Sequence, residues 1–143
     1  MFLIAALALC GLGSHLHAVS PFWEVDPKSL DDNPVAFDIH SQRLPTGDIE
    51  FTIKISDRPD QPHKIPDRID AGLNVMDFNG DSPTGGRSLR RLKPERRGKT
   101  LVFVFTVTPK ELAEPGLCFG IGWDGGFQSV ESYFVRLKKF LPP

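Results

Sequence analysis

The chain has 143 residues, with 17 Lys and Arg, 18 Asp and Glu, and a formal net charge of −1 at pH 7. This length suits a single domain with a substantial core. The balanced charge excludes a general attraction to nucleic acid or to anionic membranes, so we expect no nucleic-acid partner.

An apolar run, FLIAALALCGLG, precedes the first charged residue, Glu24. Its length is typical of the core of a signal peptide and is too short to span a bilayer. We therefore predict a signal peptide over residues 1–18, an extracytoplasmic location (periplasmic or secreted) and no transmembrane span. A lipid anchor at Cys10 is the alternative, because the LAL triplet before it resembles the bacterial lipoprotein box.

After processing, only Cys118 would remain, so no disulfide could form within the domain and packing must hold the fold. Residues 19–34 are predicted to form an irregular N-terminal lead-in, and residues 35–143 the folded domain. The clearest strand is DIEFTIKIS, residues 48–56, because apolar and polar residues alternate along it. The residues predicted to face the core are Ile49, Phe51, Ile53 and Ile55.

Other segments also carry strand signals. VAFDIH, residues 35–40, alternates in the same way, and the turn residues PTGD that follow it indicate a hairpin. TLVFVFTV, residues 100–107, is apolar on both faces, which is typical of an interior strand covered on both sides. Two further segments, in which apolar residues alternate as stripes, and two weaker segments bring the predicted total to seven strands. One stripe is Leu117, Phe119, Ile121 and Trp123, and the other is Tyr133, Val135 and Leu137. The weaker segments are residues 72–78 and residues 88–93.

One short helical turn is predicted near residues 109–114. Thr108 is a good N-cap, Pro109 suits the first helical position, and Glu111 stands where a capping box requires an acidic side chain. A single turn suits a crossing between two sheets but is too short for a βαβ connection.

These elements predict an all-β fold, an immunoglobulin-like β-sandwich of about seven antiparallel strands. The segment FTVTPKELAEPGLCFGI resembles the corner before the penultimate strand of that fold, although Leu117 stands where a corner tyrosine is expected. A small Greek-key barrel is the alternative, because pattern alone does not separate the two.

The stretch DFNGDSPTGG raises the possibility of a metal site. Asp77, Asn79 and Asp81 match the first three ligand positions of a calcium loop, but Ser82 replaces the bend glycine and Ser88 the closing acidic ligand. Asn-Gly is also a strong hairpin signal. We therefore favour a tight turn over a calcium site.

A basic segment follows, in residues 87–99. A hairpin there could bind phosphate or carboxylate groups, or its charges could protect an edge strand from unwanted pairing, which is the interpretation that we favour. The candidate anion-binding residues are Arg87, Arg90, Arg91, Arg96 and Arg97.

The loop after the stripe that ends at Trp123 is a second candidate recognition surface. Trp123, Asp124 and Phe127 could contact a sugar or a partner side chain, although the spacing of Trp123 already places it in the core. Gly120 and Gly122 indicate a place where another side chain approaches the backbone closely.

Catalysis has little support, because the predicted mature chain holds only His40 and His63 and no catalytic motif. We predict a non-enzymatic secreted or periplasmic binding or accessory protein without a cofactor, whose partner is a protein or a glycan. One alternative is a module that binds a small anion, an acidic glycan or calcium. The other is a cysteine-dependent enzyme that uses Cys118 with one of the two histidines.

Overall fold

The computed structural model describes residues 22–126 and 129–143, with the side chains of 22–124 and 131–143. One short helix and two 3₁₀ helices accompany the strands: α1 (Pro109–Leu112), Leu30–Asp32 and Leu137–Phe140. The strands are β1 (Phe22–Glu24), β2 (Val35–Arg43), β3 (Ile49–Asp57), β4 (Asp70–Asn79), β5 (Ser82–Arg91), β6 (Glu95–Arg97), β7 (Thr100–Val107), β8 (Leu117–Gly126) and β9 (Ser129–Arg136).

Two sheets form the fold. The four-stranded sheet has the order β2-β3-β7-β6, and the five-stranded sheet has the order β1-β9-β8-β4-β5. Apart from β1 and the edge strand β5, this is the strand order of an immunoglobulin-like sandwich, in which the first, second, fifth and fourth strands share one sheet and the remaining strands share the other. The predicted all-β sandwich is confirmed, and the sheets are separate rather than joined in a barrel.

The core lies between the sheets and follows the two-residue alternation. The predicted inward residues of β3, Ile49, Phe51, Ile53 and Ile55, are all at most 1% exposed. The inward residues of β8 and β9 are also buried, and Phe119 of β8 contacts Phe103 across the core with ring centroids 5.0 Å apart. The outer face of β7 differs from the prediction, because Val104 is 58% exposed.

The helical turn connects the two sheets as expected. The Thr108 hydroxyl accepts a hydrogen bond from the Glu111 backbone N–H at 3.1 Å, and the Glu111 carboxylate accepts one from the Thr108 N–H at 3.1 Å. This reciprocal capping box stabilises α1 where β7 leaves one sheet and β8 enters the other.

The structure contains all seven predicted strands together with β1 and β6, each of three residues. β1 runs parallel to β9, with Trp23 opposite Tyr133, so not every strand pair is antiparallel. The sandwich therefore includes a strand ahead of Val35, where the sequence placed its start. Strands of three residues are too short to show an alternation, which is why the pattern did not predict them.

The basic segment does not form a hairpin, and that prediction is wrong. Its first arginines belong to β5, an edge of the five-stranded sheet, whereas Arg96 and Arg97 belong to β6, an edge of the other sheet. The segment instead crosses from one sheet to the other and leaves charged side chains on both edge strands, a common protection against edge-to-edge pairing.

Candidate functional site

The outer faces of the two sheets differ in character. The four-stranded sheet presents ordinary solvent-facing side chains such as Thr52, Lys54 and Thr106. The five-stranded sheet instead presents small residues and a group of aromatic rings. A face of small residues leaves room above the sheet, and an open groove of about 1080 Å³ lies there.

Glycines form the floor of the groove. Gly72 of β4 lies directly opposite Gly120 of β8, and Gly122 lies opposite Ser132 of β9. A side chain on Gly120 would have little space, because a Cβ atom there would lie 2.8 Å from the Asn74 Nδ2 atom. The sequence predicted a close approach of a side chain to these glycines, and the structure identifies one such side chain as Asn74.

Asn74 is the central polar residue of the groove. It is half-buried on β4, between Cys118 of β8 and Ser88 of β5 in register. Its amide carries two donors and an acceptor, and no described residue forms a hydrogen bond with it. The groove therefore contains a neutral polar group that is available to a ligand.

Aromatic rings form one wall of the groove. Phe22 of β1 is 46% exposed and tilts against Phe134 of β9, with ring centroids 5.0 Å apart. Phe134 also contacts Phe78, and the Arg136 guanidinium lies 3.9 Å from the centre of the Phe78 ring. These contacts fix the wall and leave part of Phe22 facing solvent.

Acidic side chains hold the basic groups beside this wall. Arg136 Nε lies 2.9 Å from Glu24 Oε1, an ion-pair distance at which the N–H is not aimed well enough for a hydrogen bond. Lys139 Nζ lies 2.9 Å from Glu24 and 2.7 Å from Asp26. The hydrogen bond from Lys139 lowers the pKa of the Asp26 carboxyl. Arg136 and Lys139 are thus paired with carboxylates of the protein.

Charged residues of both signs line the rim of the groove. Arg91 Nε lies 3.5 Å from Asp70 Oδ1, and Arg87 Nη2 lies 3.0 Å from Glu114 Oε1. Both pairs are largely exposed, so each contributes little to stability. Their importance is that they leave no large excess of one charge at the rim.

All five arginines proposed for anion binding have partners within the protein. Arg90 binds the Glu111 carboxylate and the Thr106 carbonyl, and so connects β5 to α1 and β7. Arg96 donates to the Asp67 carbonyl at 2.7 Å. Arg97 lies 3.2 Å from Glu95 and lowers the pKa of that carboxyl through its hydrogen bond. The structure therefore divides these arginines between two sheets and gives each of them a partner within the protein.

The predicted recognition loop is only partly described. Trp123 is 4% exposed and packs on Tyr133, with ring centroids 5.3 Å apart, so the core holds its ring, as the spacing favoured. Asp124 is exposed and lines the groove. Phe127 lies outside the described residues. Of this loop, Asp124 is thus the side chain that the structure brings to the groove.

The stretch DFNGDSPTGG forms the hairpin between β4 and β5. Asn79 pairs with Ser82, which leaves Gly80 and Asp81 as a two-residue loop, and Gly80 has a φ of 63°, a value that favours glycine. Asp77, Asn79 and Asp81 are all exposed, and Asp81 Oδ1 lies 3.5 Å from Arg136 Nη2. Among the described residues, no three His, Cys, Asp or Glu side chains come together as a metal ion would require.

Cys118 lies on β8 without solvent exposure, and burial raises the pKa of its thiol to about 12. Arg136 opposes this rise and Glu24 adds to it, each by a smaller amount than burial. The thiol is therefore neutral and a poor nucleophile near neutral pH. His40 lies in the other sheet, where its Nε2 is 2.8 Å from Asp38, so it does not form a dyad with the cysteine.

A smaller cavity of about 400 Å³ adjoins the groove beside His63 and Glu131. His63 Nδ1 lies 3.0 Å from Glu131 Oε2, and the His63 ring meets the edge of Trp23 with centroids 5.9 Å apart. These contacts anchor the loop of residues 58–69, which also contributes Pro66 and Arg68 to the groove. The proline-rich sequence of this loop predicted an extended surface segment, but no pattern indicated its contact with Glu131.

Tyr133 contains a buried polar atom that can be tested by mutation. Its ring stacks on Trp23 with centroids 4.9 Å apart, and its hydroxyl has no hydrogen-bonding partner among the described residues. Because an unpartnered buried hydroxyl is costly, Tyr133→Phe is expected to raise the free energy of unfolding by about 1 kcal/mol, measured by urea denaturation. A loss of stability of similar size would contradict this expectation.

Comparison of the chain with protein-family models, with curated proteins and with solved structures gives no match. No helix in the described part of the chain is both long and apolar enough to cross a membrane.

Proposed function

We propose that this chain is a non-enzymatic extracytoplasmic binding module that holds its ligand in the groove on the outer face of the five-stranded sheet. The observation that carries the proposal is the arrangement of glycines around the Asn74 amide, which has no hydrogen-bonding partner among the described residues. Opposed glycines in neighbouring strands do not stabilise a sheet, because they offer no side chain to pack. The Arg90 backbone and the Asn74 amide leave little room for a Cβ atom at Gly72 and Gly120, and the low, open surface that results suits a bound ligand.

The dimensions and composition of the groove support the same function. Ligand pockets usually occupy about 300–1,000 Å³ and combine apolar surface with a few polar groups. The volume of this groove lies just above that range, and the groove combines Phe22 with Asn74 and Ser132. The extracytoplasmic location rests on the N-terminal apolar run of the sequence. The neutral, buried thiol of Cys118 speaks against the alternative of a cysteine-dependent enzyme.

Thermal unfolding with a ligand library tests the proposal. The library contains neutral oligosaccharides, acidic oligosaccharides, short peptides and nucleotides. A ligand at 100 times its Kd stabilises the folded state by about 2.7 kcal/mol, which corresponds to several degrees in Tm for a domain of this size. At least one compound is expected to raise the Tm by that amount.

Matched variants locate the binding surface. Ser132→Tyr fills the groove from a position opposite Gly122, whereas Val104→Tyr adds the same ring to the exposed face of the other sheet. The ligand-induced rise in Tm is expected to persist in V104Y and to disappear in S132Y. If S132Y is itself unstable, Ser88→Tyr fills the groove from β5. The proposal fails if no compound raises the Tm, or if filling the groove leaves the rise unchanged.

A further inference from the structure

We infer that the ligand of this groove is a neutral oligosaccharide. This inference rests on the proposed binding function and concerns the chemical class of the ligand. It depends on what the floor, the polar groups, the aromatic wall and the rim can each recognise.

The floor offers no free backbone groups for pairing. β4 lies between β5 and β8, and β8 lies between β4 and β9, so both floor strands have a partner on each side. A peptide that binds as an added strand needs an unpaired edge, because its affinity comes from main-chain hydrogen bonds. An added strand could pair only along the edge strands β5 and β1, beside the floor. Recognition on the floor itself must therefore come from side chains and flat surfaces, which disfavours an extended peptide there.

The polar groups within the groove are neutral and can both donate and accept hydrogen bonds. They are the amide of Asn74 and the hydroxyls of Ser88 and Ser132. A sugar hydroxyl also donates and accepts, so it can use both functions of the Asn74 amide at once. A ligand that carries only acceptors would leave the amide oxygen unsatisfied.

The Phe22 ring can pack against the C–H face of a sugar. A pyranose ring has faces of C–H groups, which pack against the negative face of an aromatic ring. Phe22 is exposed enough for such a contact and is fixed from behind by Phe134. The Asn74 amide covers part of the glycine floor, and beside it Gly122 offers a low surface on which a further sugar unit could lie.

The rim favours an uncharged ligand. Arg68, Arg87 and Arg91 line the groove together with Asp70 and Asp124, and Glu114 neutralises Arg87. With Glu114 included, the rim has as many acidic as basic side chains. A strongly anionic ligand would gain little from such a rim and would compete with the Arg91–Asp70 pair.

Binding to defined polysaccharides tests the inference. The probes are cellulose, chitin, xylan, mannan and β-1,3-glucan as neutral polymers, with alginate as the anionic comparison. Depletion of the protein from solution is measured in 50 mM and 500 mM NaCl. At least one neutral polymer is expected to bind the protein, with an affinity that changes less than two-fold between the two salt concentrations, since no ionic contact is released.

Variants then connect binding to the groove. Asn74→Ala is expected to weaken binding at least ten-fold, whereas Asn79→Ala, in the exposed hairpin tip, should leave it unchanged. Phe22→Ala provides a second groove variant, also expected to weaken binding ten-fold, in case N74A misfolds by circular dichroism. Absence of binding to all neutral polymers, full binding by N74A, or salt-sensitive binding to alginate alone would overturn the inference.

The outcomes separate this inference from the proposed function. Suppose that peptides or nucleotides raise the Tm, that S132Y abolishes this rise, and that neutral glycans have no effect. The groove is then a binding site for another class of ligand. The oligosaccharide inference then fails and the binding function stands. If no compound acts through the groove in either experiment, both fail.

Discussion

Gly116→Ala is expected to lower the free energy of unfolding by about 3–5 kcal/mol, a large part of the stability of an ordinary domain. A Cβ atom on Gly116 would lie 1.8 Å from the carbonyl oxygen of Met76 and 3.1 Å from its backbone nitrogen. Both contacts are with backbone, so no side chain can rotate away. Relief requires β4 and the start of β8 to separate, which also breaks the 2.8 Å hydrogen bond from the Met76 N–H to the Gly116 carbonyl.

Gly98→Ala is the matched control for this effect. Gly98 has a φ of 62° in the turn between β6 and β7, but a Cβ atom there would have no neighbour within 4 Å. Its replacement therefore costs only the backbone strain of a left-handed residue, about 1–2 kcal/mol. Urea denaturation of both variants compares the two costs. A loss in G116A no larger than that in G98A would show that the close approach to Met76 is unimportant.

Gly116 also illustrates what the sequence could and could not predict. Its position after Pro115 is typical of a glycine that follows the end of a helical turn, which is a local role. Its contact with Met76 depends on the pairing of β4 with β8, and nothing near Gly116 in the chain specifies that pairing. By contrast, the inward stripes of β3 and β8 were predicted correctly, because burial against a core imposes a regular alternation within one strand.

The groove escaped prediction for a related reason. Gly72 and Gly120 become neighbours only through strand register, and glycines in a strand carry no periodic signal of their own. Nothing in the sequence distinguishes Asn74 from the other polar residues, because only the fold places it above those glycines. The basic segment drew attention because charges are conspicuous in a sequence, but their partners, such as Glu111 and Glu114, come from α1 and the residues just after it.

Alkaline pH is expected to destabilise the protein through Cys118. Burial raises the pKa of the thiol from 9.0 to about 12, so the unfolded chain loses this proton at a lower pH than the folded protein does. Between those values, ionisation favours the unfolded state. The stabilising contribution is therefore complete below about pH 9 and is lost as the pH rises towards 12, by at most about 1.4 kcal/mol for each pH unit.

Cys118→Ala isolates this contribution from that of other groups. Burial also raises the pKa of Tyr133 above 10.0, and this acts in the same direction, so the wild-type protein alone does not assign the effect. The difference in unfolding free energy between wild type and C118A, measured in urea from pH 7 to 11, removes the shared terms. This difference is expected to be constant up to pH 9. Above pH 9 the wild-type protein should lose stability relative to C118A.

If the unfolding free energies of wild type and C118A changed in parallel over the whole pH range, the Cys118 thiol would be able to ionise in the folded state. In that case a thiol reagent should label the native protein rapidly, since a thiolate with access to solvent is reactive. We expect the reverse, with labelling limited by unfolding. The two measurements test the same physical property, because only the absence of water around Cys118 keeps its thiol both neutral and inert.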